Sequence, residues 1–334
     1  MLQLYRVLLT SVVSISITLS GSLLANPLLK EQFKRPDTIP FPADNPYSVQ
    51  KAALGKMLFF DPRLSNNRNM TCATCHNPSF GWEDATARSV GDQNTQLDRH
   101  SPSIINAAWG DRYFWDGRAA SLEEQAKGPI ESAVEMNLPL PEAVARLSQV
   151  PQYRTWFGRV FGSEGITADT IAKAIATFER TIVSGEAPFD RWVNGDESAI
   201  SPAAKRGFDL FVGKAKCVDC HSGWNFTDMQ FHDIGLPGND LGRGQLTGNA
   251  QENFAFKTPS LRNIGQRAPY MHDGRFENLT GVIGHYIPGG VKRPTLSTKM
   301  VPIALSAQDI NDLEAFMLTL TGEDTAVSLP TLPY

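Results

Sequence analysis

Two copies of the pattern Cys-x-x-Cys-His constrain this chain more than any other feature, because together they use all four of its cysteines. The copies read Cys-Ala-Thr-Cys-His at residues 72–76 and Cys-Val-Asp-Cys-His at residues 217–221. This spacing is typical of c-type haem attachment, in which two thioether bonds hold the porphyrin and the adjacent histidine ligates the iron. The sequence therefore predicts two covalently bound haem c groups, held by Cys72, Cys75, His76, Cys217, Cys220 and His221.

Zinc and dithiol chemistry are the alternatives for these cysteines. Two Cys-x-x-Cys pairs could in principle combine into one tetrahedral zinc site, and a single pair could act as a thioredoxin-like dithiol. Neither alternative requires a histidine directly after each pair, whereas haem ligation does. Two haems in one chain of 334 residues indicate electron transfer or haem redox catalysis.

The N-terminus resembles a secretory signal peptide, which we expect to occupy residues 1–25. Arg6 supplies the positive charge, residues 7–24 are apolar but serine-rich, and Ala25 is a small residue at the expected cleavage point. An uncleaved anchor is the alternative, since the stretch is long enough to span a bilayer. Its seven serine and threonine residues favour cleavage. We therefore expect a periplasmic protein with no stable membrane span after removal of the signal.

Cysteine usage and charge indicate in which cellular compartment the protein acts and which kinds of partner it could bind. No cysteine is left over to form a disulfide, which agrees with export to an oxidising compartment. The formal net charge is −4 at pH 7 and the chain has no basic tract, which argues against nucleic acid as a partner. Beyond the signal, the chain is long enough for two domains.

A weak internal repeat surrounds the two haem motifs. Gly-Lys-Met-Leu-Phe at 55–59 precedes the first motif, and Gly-Phe-Asp-Leu-Phe at 207–211 precedes the second. Each half is thus expected to begin with a helix that leads into a haem-binding turn. We expect an N-terminal haem c domain over residues 26–195 and a C-terminal haem c domain over residues 196–334.

The remaining patterns predict helices and loops. Apolar residues recur at helical spacing after Thr167, a candidate N-cap, and again after a capping box that begins at Ser306. Stretches rich in Gly, Asn and Pro at 233–252 and 287–298 predict loops. Few segments alternate with a period of two. The expected fold class is mainly α, with two cytochrome c-like haem domains and long irregular loops.

Six further segments resemble the bacterial di-haem cytochrome c peroxidases and their relative MauG, the methylamine-utilisation protein. They have the order and spacing of that family and belong to a resemblance that extends from about Pro46 to Gly322. The resemblance implies an oxidoreductase that uses hydrogen peroxide, with a peroxidatic haem in the first domain and an electron-transfer haem in the second. The segments are Leu58-Phe-Phe-Asp-Pro-Arg-Leu-Ser65, Phe114-Trp-Asp-Gly-Arg-Ala119, Glu124-Gln-Ala-Lys-Gly-Pro129, Glu135-Met-Asn137, Phe256-Lys-Thr-Pro-Ser-Leu-Arg-Asn263 and Pro269-Tyr-Met-His-Asp-Gly274.

The resemblance assigns peroxide to the first haem, with His76 as its iron ligand. Gln125 and Glu135 match the pair that lines the open face of this haem. A carboxylate within reach of peroxide can move a proton between its oxygens, and an amide can orient it. A solvated surface carboxylate is the alternative for Glu135. Trp115 matches the tryptophan between the two haems, where an indole can relay an electron or a hole; core packing is the alternative.

For the second haem, the resemblance implies His221 as one iron ligand and Tyr286, fourteen residues after His272, as the other. The peroxidases have methionine at this place, and MauG has tyrosine. His285 is the rival, because a slip of one residue would give bis-histidine ligation. We favour Tyr286, which makes His76, His221 and Tyr286 the predicted metal ligands. An anionic phenolate stabilises higher oxidation states of iron, whereas a thioether raises the haem potential.

The sequence also departs from the peroxidases at Gly91-Asp92, where the family members that rest in a closed state carry a distal histidine. The alignment is loose there, and His100 lies eight residues further on. We expect the first haem to be five-coordinate and open without prior reduction. This departure and Tyr286 both favour MauG-like chemistry.

The family further carries a calcium ion between its domains. The calcium-binding carbonyls correspond to Arg267 and Pro269, and the calcium-binding asparagine corresponds to His100. Histidine is a poor replacement, because calcium takes hard oxygen ligands. Calcium is therefore a weakly supported additional cofactor. His232 is expected to be structural.

Three functions follow from these observations. The first is a periplasmic peroxidase that reduces hydrogen peroxide to water with electrons from a small cytochrome c or copper protein. The second is MauG-like, peroxide-dependent oxidation of residues on a partner protein through a high-valent di-haem state. The third, a non-enzymatic di-haem electron carrier, gives no reason for Gln125 and Glu135 in family register. The resemblance also leaves a homodimer open.

Overall fold

The structure is a computed structural model that describes residues 27–323 and 326–334. The predicted signal peptide, residues 1–25, lies outside the described residues. Within them the chain is mainly helical, which confirms the expected fold class. The α-helices are α1 (Pro27–Glu31), α2 (Val49–Phe59), α3 (Cys72–Cys75), α4 (Leu122–Glu131), α5 (Leu140–Ser148), α6 (Pro151–Phe161), α7 (Ala168–Arg180), α8 (Pro188–Val193), α9 (Pro202–Val212), α10 (Arg243–Thr247), α11 (Leu279–Tyr286) and α12 (Ala307–Leu318).

Short elements fill the connections between these helices. Two strands, β1 (Phe231–His232) and β2 (Phe256–Lys257), pair in antiparallel fashion. The 3₁₀ turns are Pro62–Leu64, Pro78–Phe80, Asp92–Asn94, Ala107–Trp109, Gly162–Glu164, Cys217–Asp219, Ala250–Glu252 and Ile264–Gln266. Among the described residues, no helix is both long enough and apolar enough to cross a membrane.

Each haem motif follows a helix that crosses a second helix at a glycine. A methyl group added at Gly55 of α2 would lie 1.9 Å from the carbonyl oxygen of Ala174 in α7. A methyl group at Gly207 of α9 would lie 1.9 Å from the carbonyl oxygen of Asp312 in α12. Only glycine permits two helices to approach this closely. The repeat at 55–59 and 207–211 thus corresponds to a repeated helix crossing.

Helix termini agree with the sequence signals. Thr167 and Ser306 are the N-caps of α7 and α12, and each forms a capping box with the residue three positions on. Pro188 and Pro202 are the first residues of α8 and α9. Proline is tolerated at this position because its missing N–H would be unpaired there.

The prediction of a continuous loop over 233–252 was wrong, because the one-turn helix α10 lies within it. Gly242 precedes this turn, and Gly248 ends it with a left-handed φ of +69°. The glycines that predicted a loop therefore delimit a helical turn. The second predicted loop, 287–298, contains no helix or strand.

Each haem motif packs against its own large cluster of buried apolar side chains. Cys72 packs against the first cluster, which joins α2, α5, α6 and α7, and Cys217 packs against the second, which joins α8, α9 and α12. The chain ends cross over: Phe33 is fully buried in the second cluster, and Val327 packs against the first. The limits 26–195 and 196–334 stay a prediction, and each cluster takes side chains from beyond them.

Candidate active site between two haem-binding motifs

The first haem motif presents a histidine already oriented for ligation. Cys72 and Cys75 lie in the single turn α3, and His76 follows at its C-terminal end. The Nδ1 atom of His76 lies 3.2 Å from the carbonyl oxygen of Trp82, which can only accept a hydrogen bond. The proton is thus held on Nδ1, and the Nε2 lone pair is left for a metal. Burial also lowers the pKa of His76 and favours its neutral form.

The second motif repeats this arrangement. Cys217 lies in a 3₁₀ turn, and the Nδ1 atom of His221 lies 2.9 Å from the carbonyl oxygen of Phe226. Burial lowers the pKa of His221 as well. In both motifs a backbone carbonyl selects the tautomer that an iron ligand needs.

A cavity of about 880 Å³ opens beside the first motif. This volume lies within the range typical of cofactor sites. One part of its wall carries the cysteines and histidine of the motif, which suits a covalently attached haem. The predicted site residues Gln125, Glu135 and Trp115 also line it, so the structure brings the first motif and all three together.

Glu135 lies on the turn that follows α4. Its backbone N–H donates to the Ser132 carbonyl over 3.0 Å, and its carbonyl accepts from the Asp92 N–H over 2.8 Å. Burial raises the pKa of Glu135 above its ordinary value, although the Ser132 side chain and Arg118 oppose this shift. A carboxyl group with this raised pKa can hold a proton closer to neutral pH, as a general acid and base requires.

Asp92 fixes the turn that carries Glu135. The Asp92 side chain is buried and accepts hydrogen bonds from the amide nitrogens of Asn67 and Asn137, over 2.6 and 2.8 Å. A methyl group at the preceding Gly91 would lie 1.9 Å from the Val134 carbonyl oxygen. The sequence indicated only that no histidine stands at this place. The spatial pairing of Asp92 with the Glu135 turn had no sequence signal.

Trp115 lies where the two halves of the chain meet. Its side chain is buried, and its backbone carbonyl accepts a hydrogen bond of 2.8 Å from the N–H of Lys257. The indole contacts His272 edge-on, with ring centroids 6.3 Å apart, and His272 stacks on Phe256 at 3.6 Å. An aromatic group therefore connects the first cavity with the second half of the chain.

The two rival ligands of the second haem have different surroundings. Tyr286 ends α11, and its phenol is desolvated beside the thiols of Cys217 and Cys220, which raises its pKa. The Nε2 atom of His285 instead lies 2.9 Å from the carbonyl oxygen of Ile234. Of the two, Tyr286 is the residue whose side chain interacts electrostatically with the second pair of cysteines.

Glu179 is a buried acid that the sequence did not single out. It lies in α7, lines the same cavity and is 4% exposed, and its Oε2 atom has no hydrogen-bond partner. Burial raises the pKa of Glu179 to about 8, with Arg180 opposing the shift. Burial in the wall of the first cavity therefore favours the neutral form of the Glu179 carboxyl group.

One three-residue cluster of metal-binding type, Cys220, Asp228 and His232, lies in the described part of the chain. The Nε2 atom of His232 lies 2.8 Å from the Asp228 carboxylate, which raises the pKa of His232 to about 9. Cys220 is a predicted haem attachment point, so this cluster belongs to the second motif. His232 acts here as an ion-pair partner, in agreement with a structural role.

Both haem motifs lie in parts of the chain that match the sequence profiles of known protein families. The sequence profile of the di-haem cytochrome c peroxidases matches residues 49–198, and the cytochrome c profile matches residues 204–321. Each match contains one Cys-x-x-Cys-His motif. The expectation of two cytochrome c-like modules is thereby confirmed.

Several relatives align over most of their length. The chain is 53% identical over 309 residues to the methylamine utilization protein MauG of Methylorubrum extorquens, covering 91% of this chain and 88% of that protein. It is 36% identical over 300 residues to the cytochrome c551 peroxidase of Nitrosomonas europaea, covering 88% of this chain and 86% of that protein.

Solved structures show the same fold. A MauG-like protein associated with microbial copper homeostasis is 34% identical and superposes with a TM-score of 0.80 over 86% of this chain and 95% of its own. A diheme peroxidase from Burkholderia thailandensis is 22% identical, with a TM-score of 0.75 over 83% and 87% of the two chains. Together with the profiles and the relatives, these likenesses show that the chain belongs to the di-haem cytochrome c peroxidase and MauG family of haem c oxidoreductases that act with peroxide.

Proposed function

We propose that this protein uses peroxide to oxidise residues of a partner protein, in the manner of MauG. The observation that carries the proposal is the place of Tyr286, beside Cys217 and Cys220, whereas His285 is turned toward Ile234. The 53% identity to a MauG supports the same choice. The name of that relative refers to methylamine utilization, and we propose the same metabolic setting here.

The haem-binding residues follow from the two motifs. Bound haem supplies a redox-active iron that can accept peroxide as a ligand and exchange electrons. The backbone carbonyls of Trp82 and Phe226 keep each motif histidine in its ligating tautomer. The first haem would be held by Cys72, Cys75 and His76, and the second by Cys217, Cys220, His221 and Tyr286.

Glu135 and Gln125 act on the peroxide. Glu135 would accept a proton from hydrogen peroxide held in the cavity and return it to the other peroxide oxygen, as a general acid and base does. Gln125 orients the peroxide through its amide. The half-buried position of Glu135 in the cavity wall supports this role, because desolvation raises the pKa of this carboxyl group above its ordinary value.

Trp115 provides the connection to the second half of the chain. Its indole shares the cavity with Glu135 and contacts His272 of the second half. Trp115 would relay an electron or a hole between the two haem sites. As a phenolate ligand, Tyr286 would favour the oxidised state of the second haem, because a phenolate is anionic. Trp115 would thus connect the two haem sites electronically.

Reduction of hydrogen peroxide with electrons from a small cytochrome c or copper protein is the second candidate function. The 36% identity to a cytochrome c551 peroxidase supports it. The two functions share Glu135 and Gln125, and they differ in where the electrons come from. In either case we propose a periplasmic location, because residues 1–25 resemble a signal peptide and covalent haem attachment takes place outside the cytoplasm.

The test is the addition of hydrogen peroxide to the purified protein with both irons oxidised, followed by visible and near-infrared absorption. The MauG mode predicts a rapid spectral change with a near-infrared charge-resonance band and no need for a reductant. The peroxidase mode predicts no change until one electron is supplied, and then turnover with a reduced cytochrome or copper protein. That second result would overturn the proposal.

A further inference from the structure

His100 is buried at the junction of the two halves, and both of its ring nitrogens face hydrogen-bond acceptors. Its Nδ1 atom lies 2.7 Å from the carbonyl oxygen of Thr86, and its Nε2 atom lies 3.0 Å from a carboxylate oxygen of Glu83. A backbone carbonyl cannot donate, and an ionised carboxylate cannot either. Both ring nitrogens must therefore carry protons, which makes this side chain an imidazolium cation.

Glu83 joins this cation to the second half of the chain. Its other oxygen accepts from the Nε of Arg267 over 2.9 Å and from the backbone N–H of Ser103 over 3.1 Å. Glu83, His100 and Arg267 are exposed by only 2%, 3% and 7%. Arg267 also donates to two backbone carbonyls of its own half. The Glu83 carboxylate thus lies between two cations at the junction, and both of its oxygens accept hydrogen bonds.

This arrangement does not fit the calcium ion that the family resemblance implies. Calcium takes six to eight oxygen ligands. An imidazolium offers no lone pair, and the Glu83 carboxylate is already engaged by His100, Arg267 and Ser103. The residues that correspond to the calcium site therefore supply a positive charge of their own at the place where a cation would bind.

We propose that the His100 imidazolium, together with Arg267, replaces calcium at the junction, so that the contact between the two halves is independent of calcium. The replacement also affects the relay, because the carbonyl oxygen of His100 accepts the indole N–H of Trp115 over 2.8 Å. His100 is thus a positioning residue that connects the junction with Trp115. The part of this inference that concerns calcium and stability is independent of the proposed function, whereas the effect on the relay rests on it.

The first test measures calcium in the purified di-haem protein by elemental analysis after dialysis against EGTA and, separately, against calcium chloride. We expect less than one bound calcium per ten chains in both cases, and no shift of the thermal unfolding midpoint or of the visible spectrum between them. One calcium per chain after dialysis against calcium, or a loss of stability with EGTA, would overturn the proposal.

The second test uses His100→Asn, which restores an oxygen ligand and removes the cation. We expect this variant to unfold at a lower temperature in EGTA and to recover when calcium is added. His232→Asn is the matched control, because it also removes an ion-paired histidine, and calcium should not stabilise it. A His100→Asn variant as stable as the wild type in EGTA would contradict the role of the imidazolium.

A third variant covers the case in which His100→Asn does not fold. Glu83→Gln keeps the size of the side chain and removes the charge between His100 and Arg267. We expect it to unfold at a lower temperature and to alter the near-infrared response to peroxide, because the position of Trp115 depends on His100. Unchanged stability in Glu83→Gln would also contradict the proposal.

Discussion

The indole Nε1 atom of Trp115 donates a hydrogen bond of 2.8 Å to the backbone carbonyl of His100. The backbone N–H of His100 in turn donates to the carbonyl of His272, again over 2.8 Å. One residue of the first half thereby fixes the indole and contacts the second half. The orientation of the indole is therefore tied to the contact between the halves.

Trp115→Phe should keep a ring in place and remove both the indole and its hydrogen bond. If Trp115 is the relay, the response to peroxide should be confined to the first haem, and the near-infrared band should disappear. Trp109→Phe is the control, since Trp109 also lies in the first half and packs edge-on against Trp224 at 4.8 Å. Equal spectra for Trp115→Phe and the wild type would exclude the relay.

Glu135→Gln should slow the reaction with peroxide by about 10²–10⁴-fold, the usual contribution of a general acid and base. The amide has the same shape but cannot carry the proton. Stopped-flow absorption at the haem Soret band measures the second-order rate. Glu131→Gln, at the exposed end of α4, is the control and should react at the wild-type rate. A fast Glu135→Gln variant would remove this residue from the mechanism.

Asp92→Ala should slow the reaction with peroxide, because Asp92 holds the turn that carries Glu135. Without the carboxylate, the amides of Asn67 and Asn137 lose their acceptor, which costs about 1–3 kcal/mol for a buried donor, and the turn loosens. In the background of Glu135→Gln, the Asp92 substitution should have little further effect on rate, because the group it positions is already absent. Additive effects in this double-mutant cycle would show that Asp92 acts elsewhere.

Tyr286→Met should raise the midpoint potential of the second haem, because a thioether favours ferrous iron more than a phenolate does. Spectroelectrochemical titration of the di-haem protein resolves the two potentials. His285→Gln is the matched control and should leave them unchanged, since this side chain bonds to the Ile234 carbonyl. The opposite pattern would identify His285 as the ligand.

Glu179→Gln should change how stability depends on pH. Burial raises the pKa of Glu179 from 4.5 to about 8, so the folded protein holds a proton that the unfolded chain releases between these values. The wild type therefore loses stability as pH rises through this window, and the neutral glutamine should lose less. Denaturant titrations at pH 5 and pH 8 measure the difference. Parallel losses in both proteins would show that Glu179 is ionised when folded.

Much of the site could be predicted because its signals are local in sequence. The haem motifs are five residues long, and Gln125 and Glu135 stand in short segments with family spacing. The structure places Gln125, Glu135 and Trp115 in one cavity with the first motif. The Tyr286 phenol interacts electrostatically with the second pair of cysteines, whereas the His285 ring faces the Ile234 carbonyl. The roles of these residues stay predictions that the variants above test.

The parts that could not be predicted depend on distant contacts. Glu83 and Arg267 are 184 residues apart in the chain. The sequence at His100 indicated only a poor calcium ligand, because a single position does not reveal that both of its ring nitrogens meet acceptors. In the sequence, Asp92 showed only that the distal histidine is absent. Its contacts with the turn that carries Glu135 became visible only in the folded structure.

Each end of the described chain packs against the haem module at the opposite end, so neither module is complete without the other. Phe33 fills the core around the second motif, and a guanidinium nitrogen of Arg63 donates over 2.7 Å to the carbonyl of Pro333 at the far end of the chain. A proteolytic nick between α8 and α9 would therefore not release two self-sufficient cytochromes, since each fragment would lack a piece of its own interior. The two redox centres are interlocked within one body, and the distance that an electron travels between them is set by the fold rather than by the encounter of two mobile domains.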